Sequence, residues 1–138
     1  MEYLRITERT EDLKQLQIRY KEAIREDPPS GEDFERLSGA IRDGSILFYG
    51  CSDNGKLIAC CSVSRTFSTF NYLPGGVFED FYIEPEYRHR GIARELVRFA
   101  FRESGVASMT VGCADCDRDM YAAIGFNVPL GNLLAYDE

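Results

Sequence analysis

The spacing of apolar residues changes along this chain, and the change limits the folds that the chain can adopt. Between Thr10 and Gly44 apolar residues recur every three to four positions, which predicts two helices separated at Pro28-Pro29. After Gly44 the apolar runs are short, and the turn residues Asp53-Asn54-Gly55 between two of them predict a hairpin. A later amphipathic segment beginning near Gly91 predicts another helix among strands. Helices and strands in this order favour a mixed α/β fold.

The predicted order of elements is strand, helix, helix, three strands, helix, strand, helix, strand. This order indicates a mixed sheet with helices on its faces, and the chain contains no linker or repeat, so residues 1–138 are expected to form one domain. The aromatic and polar segment from Phe67 to Gly76 is predicted to be a loop. The six predicted strands cover residues 3–6, 46–51, 57–64, 77–83, 109–111 and 133–136, and the four helices begin after Thr10, after Ser30, near Gly91 and at Asp117.

The charge balance and the distribution of apolar residues argue against several classes of function. Sixteen basic residues against 23 acidic ones give a net charge of −7, which argues against nucleic-acid binding and is compatible with a small cationic substrate. The longest uninterrupted apolar run, from Leu57 to Cys61, is far shorter than the roughly 20 residues of a membrane helix. The acidic N-terminus is unlike a secretory signal, so a soluble cytoplasmic protein without a membrane partner is expected.

The five cysteines predict neither a disulfide framework nor a metal site. Cys60 and Cys61 lie in an apolar run and are expected to be buried. Cys113 and Cys116 form one isolated Cys-x-x-Cys pair, whereas a structural zinc site needs a second pair or histidine ligands. The single histidine, His89, stands in another context, so no metal is predicted and a reducing cytosol is the expected setting.

One segment carries a pattern suited to phosphate binding. A predicted strand ends at Ile83, a short turn through Pro85 follows, and a helix begins at Gly91. Unpaired N–H groups at a helix start and the helix dipole together attract phosphate, and small residues at Gly91 and Ala93 let phosphate approach the backbone. Arg88 and Arg90 can add charge-assisted contacts. Taken alone, the same pattern also describes an ordinary helix cap.

Two motifs in this half of the chain resemble those of one enzyme family. Arg88-x-x-Gly91-x-Ala93 resembles the [Gln/Arg]-x-x-Gly-x-[Gly/Ala] signature of the GCN5-related N-acetyltransferases (GNAT). Tyr121-Ala-Ala-Ile-Gly125-Phe126 resembles the family's Tyr-x-x-x-Gly-Phe segment, at the matching distance. The resemblance implies a mixed, mostly antiparallel sheet flanked by helices, in which acetyl-CoA lies between splayed fourth and fifth strands.

The resemblance also implies roles for individual residues. The main chain of Phe81, Tyr82 and Ile83 would contact the acetyl carbonyl and the pantetheine amides. Tyr121 would act as the catalytic acid, protonating the departing thiolate; the alternative is a tyrosine that only packs on the sheet. The residues implied for the pyrophosphate are Arg88, His89, Arg90, Gly91, Ile92, Ala93 and Arg94.

Two adjacent carboxylates precede the predicted acetyl position. We predict Glu79 as the catalytic base and Asp80 as the substrate-binding group, although strand alternation does not separate the two roles. The segment from Glu79 to Ile83 is similar to that of diamine acetyltransferases, in which acidic residues face the amine. Solvated or salt-bridged strand carboxylates are the alternative.

The sequence departs from the family pattern at two positions. Met109 stands where some relatives carry an acidic base, and Ala114 stands where many carry an asparagine. Only residues 127–138 follow Phe126, so we expect either an open acceptor cleft or closure by a second chain in a homodimer.

These motifs predict transfer of an acetyl group from acetyl-CoA to a primary amine, by direct attack in a ternary complex. A small cationic amine is the favoured acceptor. The alternatives are a non-catalytic acyl-CoA-binding module and an acetyltransferase for protein N-termini or lysines. A covalent route through Cys113 or Cys116 would lack a histidine base.

Overall fold

The computed structural model describes residues 1–8 and 10–138. These residues form one five-stranded sheet and the helices that flank it. The strands lie in chain order across the sheet, and all neighbours are antiparallel except the last pair, which is parallel. The predicted mixed, mostly antiparallel sheet flanked by helices is therefore confirmed. The elements are β1 (Glu2–Ile6), α1 (Glu11–Ala23), α2 (Gly31–Asp43), β2 (Ile46–Asp53), β3 (Lys56–Ser68), β4 (Leu73–Ile83), α3 (Ile92–Ser104), β5 (Ser108–Thr110) and α4 (Arg118–Ala123).

Capping residues set the ends of the first two helices. The Thr10 side chain accepts a hydrogen bond from the Leu13 N–H at 3.2 Å and starts α1. Ser30 and Asp33 form a reciprocal capping box at the start of α2, and Gly44 ends that helix in the left-handed conformation. These boundaries were readable from the sequence because each depends on a residue type that satisfies free backbone groups.

The core lies on both faces of the sheet. On one face α3 buries Ile92, Leu96 and Ala100 against the central strands. On the other face α1 packs Leu13 and Leu16 against the sheet. The two cysteines predicted to be buried, Cys60 and Cys61, are fully enclosed, and burial raises the pKa of both thiols, so they behave as small apolar residues.

The predicted loop from Phe67 to Gly76 is wrong for much of its length, because β3 and β4 form a long hairpin. Pairing continues from Ser64 opposite Val77 to Ser68 opposite Leu73. Gly75 and Gly76 serve close packing within the strand and do not form a turn. A Cβ at Gly76 would lie 2.4 Å from Val63 Cγ1, so no larger residue fits there without movement.

The strand predicted at residues 133–136 is also absent. Residues 127–138 have no regular secondary structure, and Leu133, Leu134 and Tyr136 are 85–88% exposed. Leu133 and Leu134 are adjacent, so their side chains would point to opposite faces of a strand. An isolated apolar run of this kind becomes a strand only when it pairs with another strand, and among the described residues it pairs with none.

Candidate active site

An opening lies where β4 and β5 separate. The two strands pair only from Gly75 to Val77 on β4 and from Ser108 to Thr110 on β5. Beyond Val77 β4 continues to Ile83, and no described strand pairs with that edge. Backbone groups of this part of β4 that face outward therefore have no partner strand, although the Ile83 carbonyl accepts a hydrogen bond from Arg88. This is the splayed arrangement that the sequence motifs led us to expect.

A β-bulge in β4 sets the side chains that border the opening. Ser62 pairs with Glu79 and Cys60 pairs with Tyr82, so Asp80 and Phe81 together lie opposite one residue of β3. Asp80 adopts a left-handed backbone with φ of 55°.

The bulge shifts the alternation of side chains along the rest of the strand. Phe81 consequently shares a face with Phe78, and their ring centroids are 5.5 Å apart. The Tyr82 side chain is buried on the other face, toward α1.

The turn before α3 has the form of an anion site. Gly91 precedes the helix with φ of 82°, and His89 also has a positive φ, of 63°. Within the described residues, the backbone N–H groups of His89, Arg90 and Gly91 donate to no other group of the chain. A Cβ built on Gly91 meets nothing within 4 Å, so the space above the turn is open. Exposed N–H groups at a helix start fit a diphosphate.

Two arginines of the turn support its shape. Arg88 Nε donates to the Ile83 carbonyl at 2.9 Å, and its guanidinium lies over the Tyr82 ring at 5.6 Å. The Arg90 guanidinium lies over the Tyr87 ring at 5.2 Å, and the Tyr87 hydroxyl donates to Asp53 at 2.8 Å. The side chain of Arg88 is thus engaged with the loop backbone, a contact that the motif alone does not predict.

Tyr121 projects from α4 toward the bulge. Its half-buried ring lies 6.3 Å from the Phe81 ring and 6.0 Å, edge to face, from the Phe126 ring. The Tyr121 carbonyl accepts from the Phe126 N–H at 2.9 Å, and Gly125, with φ of 122°, permits this turn.

The environment of Tyr121 keeps its hydroxyl protonated. Burial raises the pKa of Tyr121 above its ordinary value, and electrostatic interactions with Asp117 and Cys113 add to the rise. Its phenol therefore carries its proton at neutral pH.

The two carboxylates of β4 have different environments. Glu79 is exposed, whereas Asp80 is half-buried and its Oδ2 accepts a hydrogen bond from Ser62 Oγ at 2.6 Å. Ser62 is itself fully buried, so its hydroxyl fixes the orientation of the Asp80 carboxylate. The bulge gives the two acids this difference, which the strand pattern alone does not predict.

Tyr20 of α1 lies near Asp80, Glu79 and Tyr121 and joins them in the candidate site. It was not identified from the sequence. Burial raises the pKa of Tyr20 to about 12, with Asp80, Tyr121, Glu26 and Glu79 adding to the rise. An ion pair between Arg19 and the buried Glu84 fixes this end of α1 to the end of β4. In the sequence Tyr20 counts only as one member of an apolar helical stripe, and nothing local separates it from its neighbours.

Comparison with known proteins decides the family. The model of the acetyltransferase (GNAT) family matches residues 10–126, most of the chain. The chain belongs to the GNAT acetyltransferases. No curated protein matches the chain by sequence. The matched range includes both the turn at Gly91 and the tyrosine of α4, so the resemblance drawn from the two motifs is confirmed at the level of the family.

Solved structures share the GNAT fold with this chain at low sequence identity. A probable acetyltransferase superposes with a TM-score of 0.79 at 21% identity over the whole of both chains. An aminoglycoside acetyltransferase from an uncultured soil metagenomic sample, in complex with sisomicin, gives 0.80 at 14%, covering 99% of this chain and 95% of its own. A predicted acetyltransferase of Clostridium acetobutylicum with acetyl-CoA gives 0.75 at 17%, with the same coverage.

The remaining residues assigned by the GNAT motif fall into two groups. The Ile92 side chain is buried in the core, so only its backbone can face a ligand. Ala93 is partly buried beside it. Arg94 is exposed, and its Nη2 donates to the Ala123 carbonyl, which connects α3 to α4 across the opening.

The exposed cysteines and the helices give three further observations. Cys113 and Cys116 are free and exposed, and Cys113 is close enough to influence Tyr121 electrostatically. Among residues 1–8 and 10–138, no cluster of His, Cys, Asp or Glu side chains is arranged to hold a metal ion. In that same part of the chain, no helix combines the length and apolar character needed to cross a membrane.

Proposed function

We propose that this GNAT protein transfers the acetyl group of acetyl-CoA to the primary amine of a small cationic substrate, by direct attack in a ternary complex. The observation that supports this most is the position of the bulged, unpaired edge of β4. Phe81 of that edge lies 6.3 Å from the Tyr121 ring, between centroids, and the open turn at Gly91 follows the end of the same strand. A site of this form provides backbone groups for a thioester, a cradle for phosphate and an acid for the departing sulfur.

The cofactor side of the site uses mostly main-chain groups. The turn from Arg88 to Gly91, with Ile92, Ala93 and Arg94 after it, would hold the pyrophosphate through N–H groups and the Arg94 guanidinium. The open edge of β4 from Phe81 to Ile83 would pair with the amides of the pantetheine arm. Acetyl-CoA supplies, when bound, an acetyl group activated as a thioester.

The acceptor side of the site is acidic. Glu79 and Asp80 border the opening, and Glu26 lies near enough to raise the pKa of Tyr20 together with them. A protonated amine is attracted to such a field and gains encounter rate from it. Glu79 is exposed and able to pass a proton to water, whereas Asp80 is held by Ser62 and suited to hold the ammonium group.

Proton transfer ends the proposed reaction. An uncharged amine attacks the acetyl carbonyl, and an N–H near Tyr82 at the bulge holds the negative charge that develops on the oxygen. As the C–S bond of the intermediate breaks, Tyr121 donates its proton to the sulfur, and the raised pKa of its hydroxyl keeps that proton available. The attacking nitrogen gives up one proton to water as the amide forms, and a proton from water restores the phenol.

Neutralising the two carboxylates separately distinguishes their roles. Asp80→Asn should raise KM for the amine, because a neutral amide of the same shape replaces the carboxylate that is proposed to bind the ammonium group. Glu79→Gln should lower kcat at pH 7 and recover part of the loss at alkaline pH, where the free amine needs no base. Steady-state kinetics on the best amine measures both effects.

Glu103→Gln removes one exposed negative charge at the distant end of α3 and serves as the matched control. If Glu79→Gln and Asp80→Asn both behave like this control, the carboxylates are ordinary surface groups and the preference for a cation is wrong.

Removing the Tyr20 hydroxyl tests the contribution of α1. Tyr20→Phe keeps the packing of the ring and should raise KM for the amine about two- to tenfold, the effect of one lost hydrogen bond, while kcat changes little. Tyr72→Phe removes a hydroxyl that is 70% exposed on the hairpin and should change neither constant. An unchanged KM in Tyr20→Phe would exclude the hydroxyl from the acceptor site.

The proposed function itself is tested by thiol release from acetyl-CoA across a panel of acceptors. We expect release that depends on a small polyamine or another primary amine. Release with peptide N-termini or lysyl peptides alone would replace the small amine by a protein acceptor. Thermal stabilisation by acetyl-CoA without turnover on any acceptor would instead indicate a binding module.

A further inference from the structure

The Cys-x-x-Cys pair at residues 113–116, which the proposed reaction does not use, carries the exposed thiols of this chain. Three of the five cysteines, Cys51, Cys60 and Cys61, are buried. Burial raises the pKa of these three thiols, so they stay protonated and unreactive. Cys113 and Cys116 are free and exposed, so a small reagent in solution can reach these two sulfurs and not the others.

The spacing of the two exposed thiols suits a disulfide between them. Ala114 and Asp115 separate the cysteines, and in the turn that follows the Asp117 N–H donates to the Ala114 carbonyl at 3.0 Å. Neither intervening residue is proline, so neither has a fixed φ. Two cysteines with this spacing are also the motif of dithiol–disulfide exchange.

The backbone between the two cysteines is open in the dithiol form. Ala114 is extended, with φ of −70° and ψ of 155°, and Asp115–Asp117 form a 3-10 turn. A disulfide requires Cα atoms within about 7 Å of each other, and an extended residue lengthens their separation relative to a helical turn. Closing the bridge therefore requires Ala114 to rotate toward helical ψ, which alanine adopts freely. The dithiol and disulfide forms of this loop thus differ in backbone conformation.

The loop leads directly into the helix that carries Tyr121. α4 follows the 3-10 turn at once, with Arg118 in the helical conformation. A rotation at Ala114 therefore changes the direction of the segment that continues into α4. Cys113 also interacts electrostatically with the Tyr121 hydroxyl, so the exposed sulfur lies near that group.

The packing of α4 allows it to respond to such a rotation. The helix has six residues, and none of them is fully buried. Its contacts with the rest of the chain include those of the Tyr121 ring with Phe81 and Phe126, and the hydrogen bond from Arg94 to the Ala123 carbonyl. Elements with few buried contacts open at low cost in free energy, so a change at the start of α4 displaces the helix readily.

We propose that Cys113 and Cys116 are a thiol-modification site, that a low-molecular-weight disulfide oxidises them to an intrachain bridge, and that this bridge displaces Tyr121 and slows acetyl transfer. Formation of the bridge depends on the cysteines alone. The loss of activity rests on the proposed function, in which Tyr121 is the catalytic acid.

Two exchange steps form the bridge. The thiolate of one cysteine attacks a sulfur of the small disulfide, whose S–S bond breaks and releases one small thiol. The thiolate of the other cysteine then attacks the protein sulfur of this mixed disulfide, which forms the intrachain S–S bond and releases the second small thiol. The protein loses two electrons and two protons, and the small disulfide gains both as it becomes two thiols. A small dithiol reverses the reaction by the same steps.

Treatment of the whole protein with glutathione disulfide gives the first test. The intact chain should become lighter by the mass of two hydrogen atoms, and mass spectrometry of its fragments should place the bridge between Cys113 and Cys116. Amide hydrogen exchange should change in residues 114–123 and little elsewhere, because the bridge moves the start of α4. Two persistent free thiols, a mixed disulfide as the final product, or unchanged exchange in α4 would overturn the proposal. These measurements need no acceptor amine.

The activity of the oxidised protein gives the second test. Oxidation should lower kcat on the best amine about tenfold or more, because a misplacement of about 1 Å in an active site can cost ~10²-fold, and a small dithiol should restore the rate. The double variant Cys113→Ser and Cys116→Ser should match the parent and resist glutathione disulfide, although it keeps the three buried cysteines.

Two results would contradict the effect on activity. One is a bridge that leaves kcat unchanged, and the other is a double variant that glutathione disulfide inactivates as it does the parent. Failure of the proposed function is distinguishable from both, because the reduced parent would then acetylate no acceptor. In that case the mass and exchange measurements still decide whether the bridge forms and moves α4.

Discussion

Tyr121→Phe should lower kcat by about 10²- to 10⁴-fold while the affinity for acetyl-CoA stays close to that of the parent. The substitution keeps the ring that packs against Phe81 and Phe126 and removes only the hydroxyl. The expected loss is large because, in the proposed reaction, a thiolate leaves unprotonated when no acid is near. An assay of thiol release measures kcat, and calorimetric titration measures the affinity for acetyl-CoA separately.

The pH profile adds a second check on Tyr121. Burial raises the pKa of this hydroxyl, so the protonated form of Tyr121 persists above pH 9. Activity should therefore rise from pH 6 to pH 9 as the amine loses its proton, with no decline caused by Tyr121 in that range. Tyr72→Phe is the control for loss of an exposed hydroxyl. A fully active Tyr121→Phe variant would mean that water or another group protonates the sulfur.

Gly91→Val should weaken binding of coenzyme A by about 10²- to 10⁴-fold. A branched side chain above the turn would occupy the space where a diphosphate meets the N–H groups. Loss of two hydrogen bonds to a charged group corresponds to about 3–6 kcal/mol. Calorimetric titration with coenzyme A measures this loss without any acceptor.

Strain at Gly91 requires a matched control, because its φ of 82° is unfavourable for valine. Gly44→Val provides one, since Gly44 has φ of 79° and equally open space but lies at the end of α2. Both variants should lose about 1–2 kcal/mol of stability. Only Gly91→Val should bind coenzyme A more weakly. Equal affinity for coenzyme A in the two variants would show that the turn is not part of the cofactor site.

The sequence predicted best those features that depend on one residue type at one place. Thr10, Ser30 and Gly44 bound helices because they satisfy free backbone groups, and each was readable without a structure. The turn at Gly91 belongs to the same class, because it follows from a short motif.

Features that depend on distant partners were not predictable in the same way. The sequence predicts Gly75 and Gly76 as part of a loop, but both lie in β4, where they permit close contact with β3 and with Val106 and Ser108. The bulge at Asp80 depends on the register with β3, and Tyr20 reaches the site only through the packing of α1. The residues 133–136, expected to form a strand, pair with no strand among the described residues.

Acetyl transfer to nitrogen is the central claim, and the most direct measurement follows the acetyl group itself. The protein is incubated with acetyl-CoA carrying an isotopic label in the acetyl carbonyl, together with the amine panel, and the products are identified by mass spectrometry. The proposed function predicts a labelled amide on a small primary amine, formed at a rate that Tyr121→Phe strongly reduces. Hydrolysis to labelled acetate alone, or binding of acetyl-CoA with no labelled product, would contradict it.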